Sequence, residues 1–458
     1  EESVIVGGYY QPTVGVVDSL RAGTLMREKA IEIGAAKSFA NIEVTGMNVE
    51  NGRIKSVKTD QGEIECEYVV IATGCWSAKL AKMAGAEIPL TPAVHQMKDI
   101  GPVPFFKDTK GDIEWPIIRD MDTNMYERQH GTGLEVGSYA HRPILYEAED
   151  IPSNAAAALS PTEFPFTQKD FDIQDEHSYE LVPSIVGDEN VREKYAINGI
   201  LSLTPDGMPI VGETPEVKGL WSAAAIWVKE GPGTGKAVAE WMVLGDSEID
   251  MHASNIARFH EHQKSREHVK ARCNEGFNKT YGIVHPNEQW SSNRNVRISP
   301  MYDREQALGA VFYETAGWER PFWYESNKDL VAKFGDQVMP REGEWESRWW
   351  SPIINAEHLQ MRESAGIVDL SAFAIFDIIG PSALAVVQKA ALRQMDVAVG
   401  RVVYTPILGV NGGFKSDLTI MRLGQNHFRV VTGGAHGMAD KKWFSDLLPA
   451  DGTAQLTD

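Results

Sequence analysis

The chain has 458 residues, of which 43% are hydrophobic and 24% charged, a composition typical of globular proteins, and at this length two or three domains are expected. The net charge of −20 argues against nucleic-acid binding, which depends on clustered Lys and Arg. No apolar run approaches the roughly 20 residues of a membrane span, and the three cysteines match neither a zinc spacing nor a disulfide framework, which indicates a reducing compartment.

The first part of the chain predicts a helix followed by a small antiparallel meander. Residues 17–34 carry apolar side chains at helical spacing and end at a glycine. Alternating segments follow, separated by Asn51-Gly52 and Gln61-Gly62, and Asn-Gly between such segments is a strong hairpin signal. The last segment ends in YVVIATG, an apolar run that predicts a strand buried on both faces of a parallel sheet. Such a strand would place Thr73-Gly74 at the carboxyl edge, where cofactors bind, although ordinary packing explains the run equally well.

Residues 88–145 change character and predict extended strands of an antiparallel layer. Four residues with side chains suited to acid-base chemistry fall here: His95, Tyr126, His130 and His141. An isolated histidine is more often a structural residue than a catalyst, so the pattern alone assigns none of them a role.

The segment VKEGPGTGKAVAEW at residues 228–241 is close to the phosphate-binding loop of ATPases but lacks two of its elements. Glu230 stands where that pattern requires glycine, and Ala237 stands where it requires Ser or Thr for Mg²⁺. The segment therefore argues against an ATPase and predicts a Gly-rich turn that feeds a helix. Such a turn presents N–H groups and a positive helix end to an anion or a polarised ring; the alternative is a tight turn whose small residues only permit close packing.

The remainder of the chain gives weaker signals. Residues 246–277 are rich in charged side chains, and we interpret them as a solvated connector, not a metal site, because His260 and His262 would lie on different helix faces. The dense aromatic residues of 286–351 favour a compact module between domains. From residue 352 helix and strand signals are mixed, and no repeat is detectable.

Several unconnected stretches agree, in order, with one family. They are YVVIATGCW, GSYAHRP, TPDGMPIVGE, GLWSAAAIWVKEGPGTGKAVAE, NVRISP, LGAVFYETAGWERPFW and GGFKSDLTI. On these stretches the chain resembles, over its whole length, the flavin-dependent N-methyl amine dehydrogenases and oxidases typified by dimethylglycine oxidase and sarcosine dehydrogenase.

The resemblance implies a multidomain fold of the α/β and α+β classes. Residues 1–255 would form a partial FAD-binding domain, glutathione-reductase-like or D-amino-acid-oxidase-like, with an antiparallel substrate sheet. Residues 256–330 would form a small central linker module, and residues 331–458 the first part of a T-protein-like folate-binding domain.

The sequence also departs from the family. The family begins with a strand, a G-x-G-x-x-G turn and a helix that bind the FAD pyrophosphate, followed by a histidine that carries the flavin covalently, and neither pattern precedes Tyr9-Tyr10. The T-protein-like domain normally continues beyond Asp458. We therefore expect a piece of a longer polypeptide or one partner of a split enzyme, for which FAD retention by this chain alone is an open question. Relatives also usually carry Thr-His where this chain has Lys229-Glu230.

The resemblance implies that the glycines at 231, 233 and 235 approach the flavin ring with their backbone. A helix N-terminus and its N–H groups would stabilise the negative charge that a reduced flavin carries near its pyrimidine edge. The predicted FAD-contacting residues are Val44, Ala72, Thr73, Gly74, Trp76, Gly231, Gly233, Thr234 and Gly235.

Four residues match catalytic positions by resemblance. Tyr126 and His95 would position the substrate amine and together accept its proton, a role suited to a histidine with a pKa near neutrality. His141 matches a histidine of the simpler sarcosine oxidases, with a structural role as the alternative, whereas His130 is expected at the surface. Asp417 matches the acidic residue that lies beside the folate pterin.

The resemblance also implies a folate pocket with Tyr404 as one of its walls. The alternative for Asp417 is a turn-end hydrogen bond, which is common for Asp after Gly-Gly. The same comparison implies two cofactors, FAD and tetrahydrofolate.

The predicted function is FAD-dependent oxidative demethylation of dimethylglycine, sarcosine or a related N-methyl amino acid, with one-carbon transfer to tetrahydrofolate. The alternatives are a scaffold or folate-handling subunit of a split enzyme, and an amine oxidase that releases formaldehyde without folate. The oxidant would be O₂ or an electron-transfer flavoprotein. The expected compartment is the cytoplasm, with the mitochondrial matrix as the alternative; neither nucleic acid nor membrane is an expected partner.

Overall fold

The computed structural model describes residues 5–154, 156–157 and 160–458. The chain forms two compact units, which are described separately. The first unit comprises the chain up to Leu203, together with Glu216–Gly235 and Phe277–Gly282. The second unit comprises Thr204–Pro215, Lys236–Gly276 and Ile283–Asp458. No described helix is both long and apolar enough to cross a membrane.

The strands, in chain order, are β1 (Val44–Glu50), β2 (Arg53–Thr59), β3 (Gly62–Glu65), β4 (Val69–Ile71), β5 (Thr91–Gly101), β6 (Ile118–Asp120), β7 (Met125–His130), β8 (Gly133–Ser138), β9 (Glu163–Phe164), β10 (Arg192–Leu203), β11 (Ile210–Glu213), β12 (Leu220–Ala224), β13 (Ala310–Thr315), β14 (Trp318–Tyr324), β15 (Ala374–Ile379), β16 (Val402–Leu408), β17 (Phe414–Gly424), β18 (His427–Thr432) and β19 (Gln455–Thr457).

The α-helices are α1 (Ser19–Glu32), α2 (Ser77–Met83), α3 (Gln168–Leu181), α4 (Pro183–Val186), α5 (Gly231–Leu244), α6 (Glu261–Lys264), α7 (Arg266–Lys279), α8 (Tyr302–Ala307), α9 (Asp329–Phe334), α10 (Glu344–Ser347), α11 (Pro352–Glu363), α12 (Ala383–Ala390) and α13 (Gly437–Asp446).

The predicted first helix and meander are confirmed. Asp18 caps α1 by accepting a hydrogen bond from the Arg21 backbone N–H, and the helix ends just before Gly34, whose φ is +75°. Strands β1, β2 and β3 form an antiparallel sheet. Asn51 and Gly52 both have positive φ, 49° and 72°, which is the conformation that a tight two-residue hairpin turn requires.

The predicted strand YVVIATG is confirmed in its direction but not in its burial. Strand β4 pairs in parallel with β12, with Val69 opposite Leu220. It is only three residues long, and Val70 is 41% exposed. The expectation of burial on both faces is therefore wrong, because the described residues leave the face to which Val70 points partly uncovered.

The predicted antiparallel layer is a six-stranded sheet in the order β6-β7-β8-β5-β10-β9, with every pair antiparallel. One face packs on α3 through a core formed by Val103, Phe106, Met125, Leu134, Val136 and Phe171. Because successive strand residues point to opposite faces, the residues that alternate with this core point to the other face.

The Gly-rich turn differs from the prediction. Helix α5 begins at Gly231, so the glycines at 231, 233 and 235 lie inside its first turns and not in a turn before it. The change of direction occurs earlier, where Ala225 has a φ of +54°. Pro232 is compatible with this start because the first helical turn leaves its N–H groups without helical partners.

The second unit contains a five-stranded antiparallel sheet in the order β16-β17-β18-β15-β19. Its core is formed mainly by side chains of this sheet with those of α12 and α13, including Phe376, Val387, Phe428 and Phe444. The aromatic-rich segment predicted as a compact module includes the antiparallel hairpin β13-β14.

The interpretation of residues 246–277 as a solvated connector is wrong. Phe259, His260 and His268 are buried. His260 precedes the four-residue helix α6, and its ring centroid lies 5.9 Å from that of His262, so the two rings do not occupy separate faces of one long helix. The prediction missed the end of a helix at Ser265, which separates α6 from α7.

Candidate active site

One row of cross-strand neighbours defines the open face of the six-stranded sheet. Arg119 on β6 lies opposite Tyr126 on β7, and Tyr126 lies opposite Gly137 on β8. Gly137 in turn lies opposite Met97 on β5. Directly opposed residues of antiparallel strands project from the same face, so Arg119, Tyr126 and Met97 share the face turned away from the α3 core.

The structure brings His95 and Tyr126 together on this face. His95 is two residues before Met97 and therefore has the same orientation. Its ring stacks on that of Tyr126 with 5.7 Å between centroids and 7° between planes. Tyr139, which follows β8, lies 4.7 Å from His95 by the same measure.

Gly137 makes room for the phenol ring of Tyr126. A Cβ atom added at Gly137 would overlap the ring and hydroxyl of Tyr126. The side chain therefore lies across the glycine, which holds it toward His95. Sequence reasoning missed Gly137, although it lies within the stretch GSYAHRP that carried part of the resemblance.

A distant segment, Phe277–Gly282, contributes a further wall to this face. Tyr281 stacks on Tyr139 at 4.8 Å between centroids and lies 5.7 Å from Tyr126. Asn278 fixes the segment, because its side-chain amide donates to the backbone carbonyls of Tyr139 (2.5 Å) and His141 (3.0 Å). No local sequence signal connects residues 277–282 with residue 126, and this explains why Tyr139, Asn278 and Tyr281 were missed.

His95 is a neutral imidazole in this environment. Burial, reinforced by the charge of a protonated His141, lowers the pKa of His95 to about 3. Its Nε2 atom is enclosed and has no hydrogen-bond partner among the described residues. The expected pKa near neutrality is therefore not found, because the aromatic surroundings exclude water and disfavour the charged form.

Tyr126 and Tyr139 are also held in their neutral forms. Burial is the main cause that raises the pKa of each phenol above its usual value, and the neighbouring tyrosines add to the effect. Both side chains remain hydrogen-bond donors at any physiological pH.

His141 is 2% exposed and has a defined tautomer. Its Nδ1–H donates to the carbonyl of Arg142 at 2.8 Å, which leaves Nε2 as the acceptor nitrogen, and Nε2 has no partner among the described residues. Its ring packs on Phe277 at 4.7 Å, and burial lowers its pKa. His141 is therefore held in place through Nδ1, while its Nε2 atom can still accept a hydrogen bond.

His130 is exposed, as predicted, and belongs to a charged cluster. Its Nδ1 lies 2.8 Å from a carboxylate oxygen of Asp99 and 3.6 Å from one of Glu135. The three side chains could offer ligand atoms within 4.8 Å of one another. Arg128 pairs with Glu135 and Lys194 approaches Asp99, so the carboxylate charge is already balanced by protein cations.

Glu127 points to the opposite face of the sheet from its neighbour Tyr126. It is 1% exposed, and the hydroxyl of Ser178 on α3 donates to one carboxylate oxygen while the other has no described partner. Burial raises the pKa of Glu127 to about 7.

The two predicted flavin segments leave the β4-β12 pair at one edge. Because β4 and β12 are parallel, Ala72, which follows β4, and Ala225, which follows β12, emerge at the same carboxyl edge. Gly74 has a φ of +55° and opens a short 3-10 turn, Gly74–Trp76, that contacts strands β5 and β10. Thr73 lies in the same connection, and its hydroxyl is 3.2 Å from that of Ser77.

The residues at this edge fit a flat ring. Cβ atoms added at Gly231, Gly233 or Gly235 would meet no atom within 4 Å, so the start of α5 borders open space that a ring system can enter. Thr234 lies in the same helical turn. The carboxylate of Glu230 is engaged locally, accepting from the Trp227 N–H at 3.1 Å and pairing with Lys229.

Val44 opens β1, a strand that contacts α2, the helix directly after Trp76. None of its described contacts joins it to the glycines of α5. The structure thus places the 72–76 and 231–235 segments at one edge and leaves Val44 on the adjacent meander.

In the second unit, the two residues predicted for folate are in contact. The hydroxyl of Tyr404 donates to a carboxylate oxygen of Asp417 at 2.5 Å, which raises the pKa of Tyr404. Tyr404 is 61% exposed and Asp417 is exposed beside it. Asp417 lies within β17 opposite Pro406, so the alternative of a turn-end hydrogen bond is not what the structure shows.

Family models match three successive parts of the chain. The FAD dependent oxidoreductase family matches residues 1–241, its central domain matches residues 244–299, and the GCVT N-terminal domain matches residues 301–458. The first match covers more than half of the chain. The chain therefore belongs to the FAD dependent oxidoreductase family, and the multidomain α/β and α+β architecture predicted from the sequence is confirmed. The two predicted cofactors, FAD and tetrahydrofolate, agree with these matches.

Three curated relatives are similar over nearly the whole chain. The 4-methylaminobutanoate oxidase (formaldehyde-forming) of Paenarthrobacter nicotinovorans is 32% identical, covering 94% of this chain and 50% of the relative. Mouse mitochondrial sarcosine dehydrogenase is 28% identical, covering 92% and 47%. The mouse mitochondrial pyruvate dehydrogenase phosphatase regulatory subunit is also 28% identical, covering 99% and 50%. The chain thus spans about half the length of the curated relatives it matches.

Proposed function

We propose that the protein oxidises an N-methylated amino acid with FAD and passes the released one-carbon unit to tetrahydrofolate. The observation that carries this proposal is the stacked pair of His95 and Tyr126 on the open face of the six-stranded sheet, within a wall of aromatic side chains. Two relatives named for N-methyl amine oxidation support the choice of substrate class.

FAD, when bound, would supply the redox chemistry by accepting a hydride equivalent from the N-methyl carbon. The residues of this chain would hold it at the β4-β12 edge, with Ala72–Trp76 and Gly231–Gly235 as its protein contacts. The N–H groups and positive end of α5 would face the ring there.

The aromatic face prepares the amine. The surroundings that hold His95 neutral also disfavour a charged ammonium, so the substrate nitrogen would bind without its extra proton. With a pKa of about 3, His95 is too weak a base to store that proton, and its free Nε2 instead positions the amine. Tyr126, which stays protonated, would donate a hydrogen bond, and the wall of Tyr139 and Tyr281 would exclude water.

The Tyr404 and Asp417 pair would serve the folate step. A carboxylate that already accepts from a phenol has a fixed orientation, and its second oxygen can orient or deprotonate a folate amine. The exposed location leaves the pair accessible to a large ligand. Without folate, the same oxidation would release formaldehyde.

The specific methylamine and oxidant belong to this proposal. Dimethylglycine, sarcosine and 4-methylaminobutanoate share an N-methyl nitrogen and a carboxylate, and we place the substrate in this class. O₂ and an electron-transfer flavoprotein are the two acceptors that an experiment must separate. The proposed compartment is the cytoplasm in a bacterium and the mitochondrial matrix in a eukaryote.

A second candidate is a regulatory subunit without catalysis. It is favoured by the similarity to the pyruvate dehydrogenase phosphatase regulatory subunit, which covers 99% of this chain. The two candidates differ in one observable property, since only an oxidase reduces its flavin when an N-methyl amine is added.

The test is anaerobic absorption spectroscopy of the purified chain supplied with FAD. The proposal expects the flavin bands to bleach with dimethylglycine, sarcosine or 4-methylaminobutanoate. His95→Gln and Tyr126→Phe should slow bleaching by about 100-fold, the order expected when a positioning contact is lost and the reacting groups are misplaced. His130→Gln, a surface histidine of the same unit, is the matched control. A flavin that binds and never bleaches would favour the regulatory role.

A further inference from the structure

The two segments proposed to hold the flavin contain one pair of charged residues, and the two are consecutive. Residues 72–76 carry no charged side chain, and residues 225–235 carry only Lys229 and Glu230. The ammonium of Lys229 lies 3.1 Å from a carboxylate oxygen of Glu230. The next charged residue of α5, Lys236, is compensated by two glutamates farther along the chain. The side-chain charge of these two segments is therefore that of the Lys229-Glu230 pair.

Glu230 is held at the N-terminal end of α5. It directly precedes Gly231, where the helix begins, and its backbone carbonyl accepts a hydrogen bond from the Thr234 N–H at 2.8 Å. One carboxylate oxygen accepts from the Trp227 N–H at 3.1 Å, and the other faces the Lys229 ammonium. The carboxylate thus places a negative charge beside the positive end of the helix.

The Lys229 ammonium is more exposed than its partner. The exposed fraction of the side chain is 74% for Lys229 and 37% for Glu230. The ammonium also lies 5.7 Å from the ring centroid of Trp227. An ion pair this exposed contributes little to stability. It nevertheless sets the net charge at the start of α5, and its two members act in opposite directions on an anion at this edge.

We propose that Lys229 and Glu230 set how strongly this site prefers reduced over oxidised FAD. The inference rests on the flavin site proposed above. A reduced flavin carries negative charge near its pyrimidine edge, which the N–H groups and the positive end of α5 stabilise. The Glu230 carboxylate opposes that charge by Coulomb repulsion, and the Lys229 ammonium favours it. With both residues present the two effects nearly cancel, so the helix end supplies most of the stabilisation.

The competing explanation is structural: Glu230 would only close the loop before α5 by its hydrogen bond to the Trp227 N–H. That bond needs an acceptor oxygen and no charge. Glu230→Gln keeps an acceptor oxygen and removes the charge, whereas Glu230→Ala removes both. These two variants therefore separate an effect of charge from an effect on the start of the helix.

The experiment measures the midpoint potential of FAD bound to the purified chain, by anaerobic equilibration with a reference dye, and the Kd of oxidised FAD by fluorescence titration. Glu230→Gln should raise the ratio of affinities for reduced and oxidised FAD by about tenfold, a shift of ~30 mV to more positive potential for a two-electron couple. Lys229→Gln should lower the ratio by a similar factor, and the double variant should return close to the wild-type potential. The matched control is Glu32→Gln, which removes the acidic member of the Lys29-Glu32 pair on α1, 3.0 Å apart, and should leave the potential unchanged.

Wild-type potentials in both Glu230→Gln and Lys229→Gln would overturn the inference. A shift in Glu230→Ala with none in Glu230→Gln would assign the effect to the loop and decide for the structural role. A wild-type chain that binds no FAD would contradict the flavin site and this inference together. Flavin bleaching tests the proposed oxidation separately: shifted potentials in a protein whose flavin never bleaches would refute the oxidase and retain the role of the charge pair.

Discussion

The two predicted sites use similar residues in opposite environments. In the first unit, Tyr126 and His95 lie within an aromatic wall. Burial raises the pKa of Tyr126 and lowers that of His95, so both side chains are neutral, and His95 Nε2 has no described partner. In the second unit, Tyr404 and Asp417 are exposed and hydrogen-bonded to each other. Burial thus leaves the Nε2 atom of His95 available for a hydrogen bond to a ligand. In the exposed pair, the Tyr404 hydroxyl and the Asp417 carboxylate already bond to each other.

The largest effect is expected at Gly137, which sets the position of the Tyr126 ring. Gly137→Ala introduces a Cβ that overlaps Tyr126, so the ring must move away from His95. We expect flavin bleaching to slow by about 100-fold, the effect of an ångström-scale misplacement, and unfolding to become easier by about 1–3 kcal/mol.

The matched control is Gly46→Ala, also on a strand of the first unit, where an added Cβ makes only ordinary contacts with Lys58. Stopped-flow absorption and thermal unfolding measure the two effects. Wild-type bleaching rates in Gly137→Ala would show that the position of Tyr126 is not important.

The next effect is expected at Glu127, which lies on the opposite face of the sheet from Tyr126. Burial raises the pKa of Glu127 from its usual 4.5 to about 7. A raised folded-state pKa contributes stability that is fully present below pH 4.5 and is lost as the pH rises through about 7. Glu127→Gln cannot ionise, so its stability relative to the wild type should increase across this range by up to about 3 kcal/mol.

Denaturant unfolding at several pH values measures this change. Glu180→Gln, an exposed glutamate on α3, is the control and should show no such pH-dependent gain. A difference between Glu127→Gln and the wild type that does not vary with pH would contradict the assignment of a proton to this buried carboxylate.

A smaller effect is expected at Asn278, which joins the distant wall to the sheet. Asn278→Ala removes the donors to the carbonyls of Tyr139 and His141 and should cost about 1–3 kcal/mol of stability. Because Tyr281 is on the same segment, the KM for the N-methyl amine should rise more than kcat falls.

Asn274→Ala is the control, since Asn274 is exposed one turn earlier on α7. Steady-state kinetics and thermal unfolding provide the two readouts. Unchanged stability of Asn278→Ala would mean that other contacts hold the segment in place.

The smallest effect on stability is expected at the exposed pair. Asp417→Asn should change the free energy of unfolding by less than about 0.5 kcal/mol, as is usual for surface substitutions. It should nevertheless abolish folate-dependent capture of the one-carbon unit, so that formaldehyde is released. Tyr404→Phe should weaken this capture less, because the carboxylate remains.

Formaldehyde release with and without tetrahydrofolate measures the capture, and Asp451→Asn is an exposed control in the same unit. Capture that survives unchanged in Asp417→Asn would show that the oxidation proceeds without a folate role for this residue. A loss of several kcal/mol of stability would instead make the carboxylate structural.

The local elements and the family could be predicted from the amino-acid sequence. Helical spacing before Gly34, the Asn51-Gly52 turn and the alternating strands of residues 88–145 depend on neighbouring residues, and periodicity reveals them. The order of short motifs indicated the flavin and folate architecture, and it selected His95, Tyr126, Tyr404 and Asp417, which the structure brings together as two pairs.

The further residues that join these pairs, and the protonation states of the pairs, depend on the folded chain. The cross-strand row places Arg119 and Gly137 beside Tyr126, and Tyr281 comes from a segment more than 150 residues later in the chain. The lowered pKa of His95 arises from burial by those rings, which no local pattern specifies. Periodicity encodes the face that a side chain occupies, whereas its environment depends on chain segments that meet only in the folded protein.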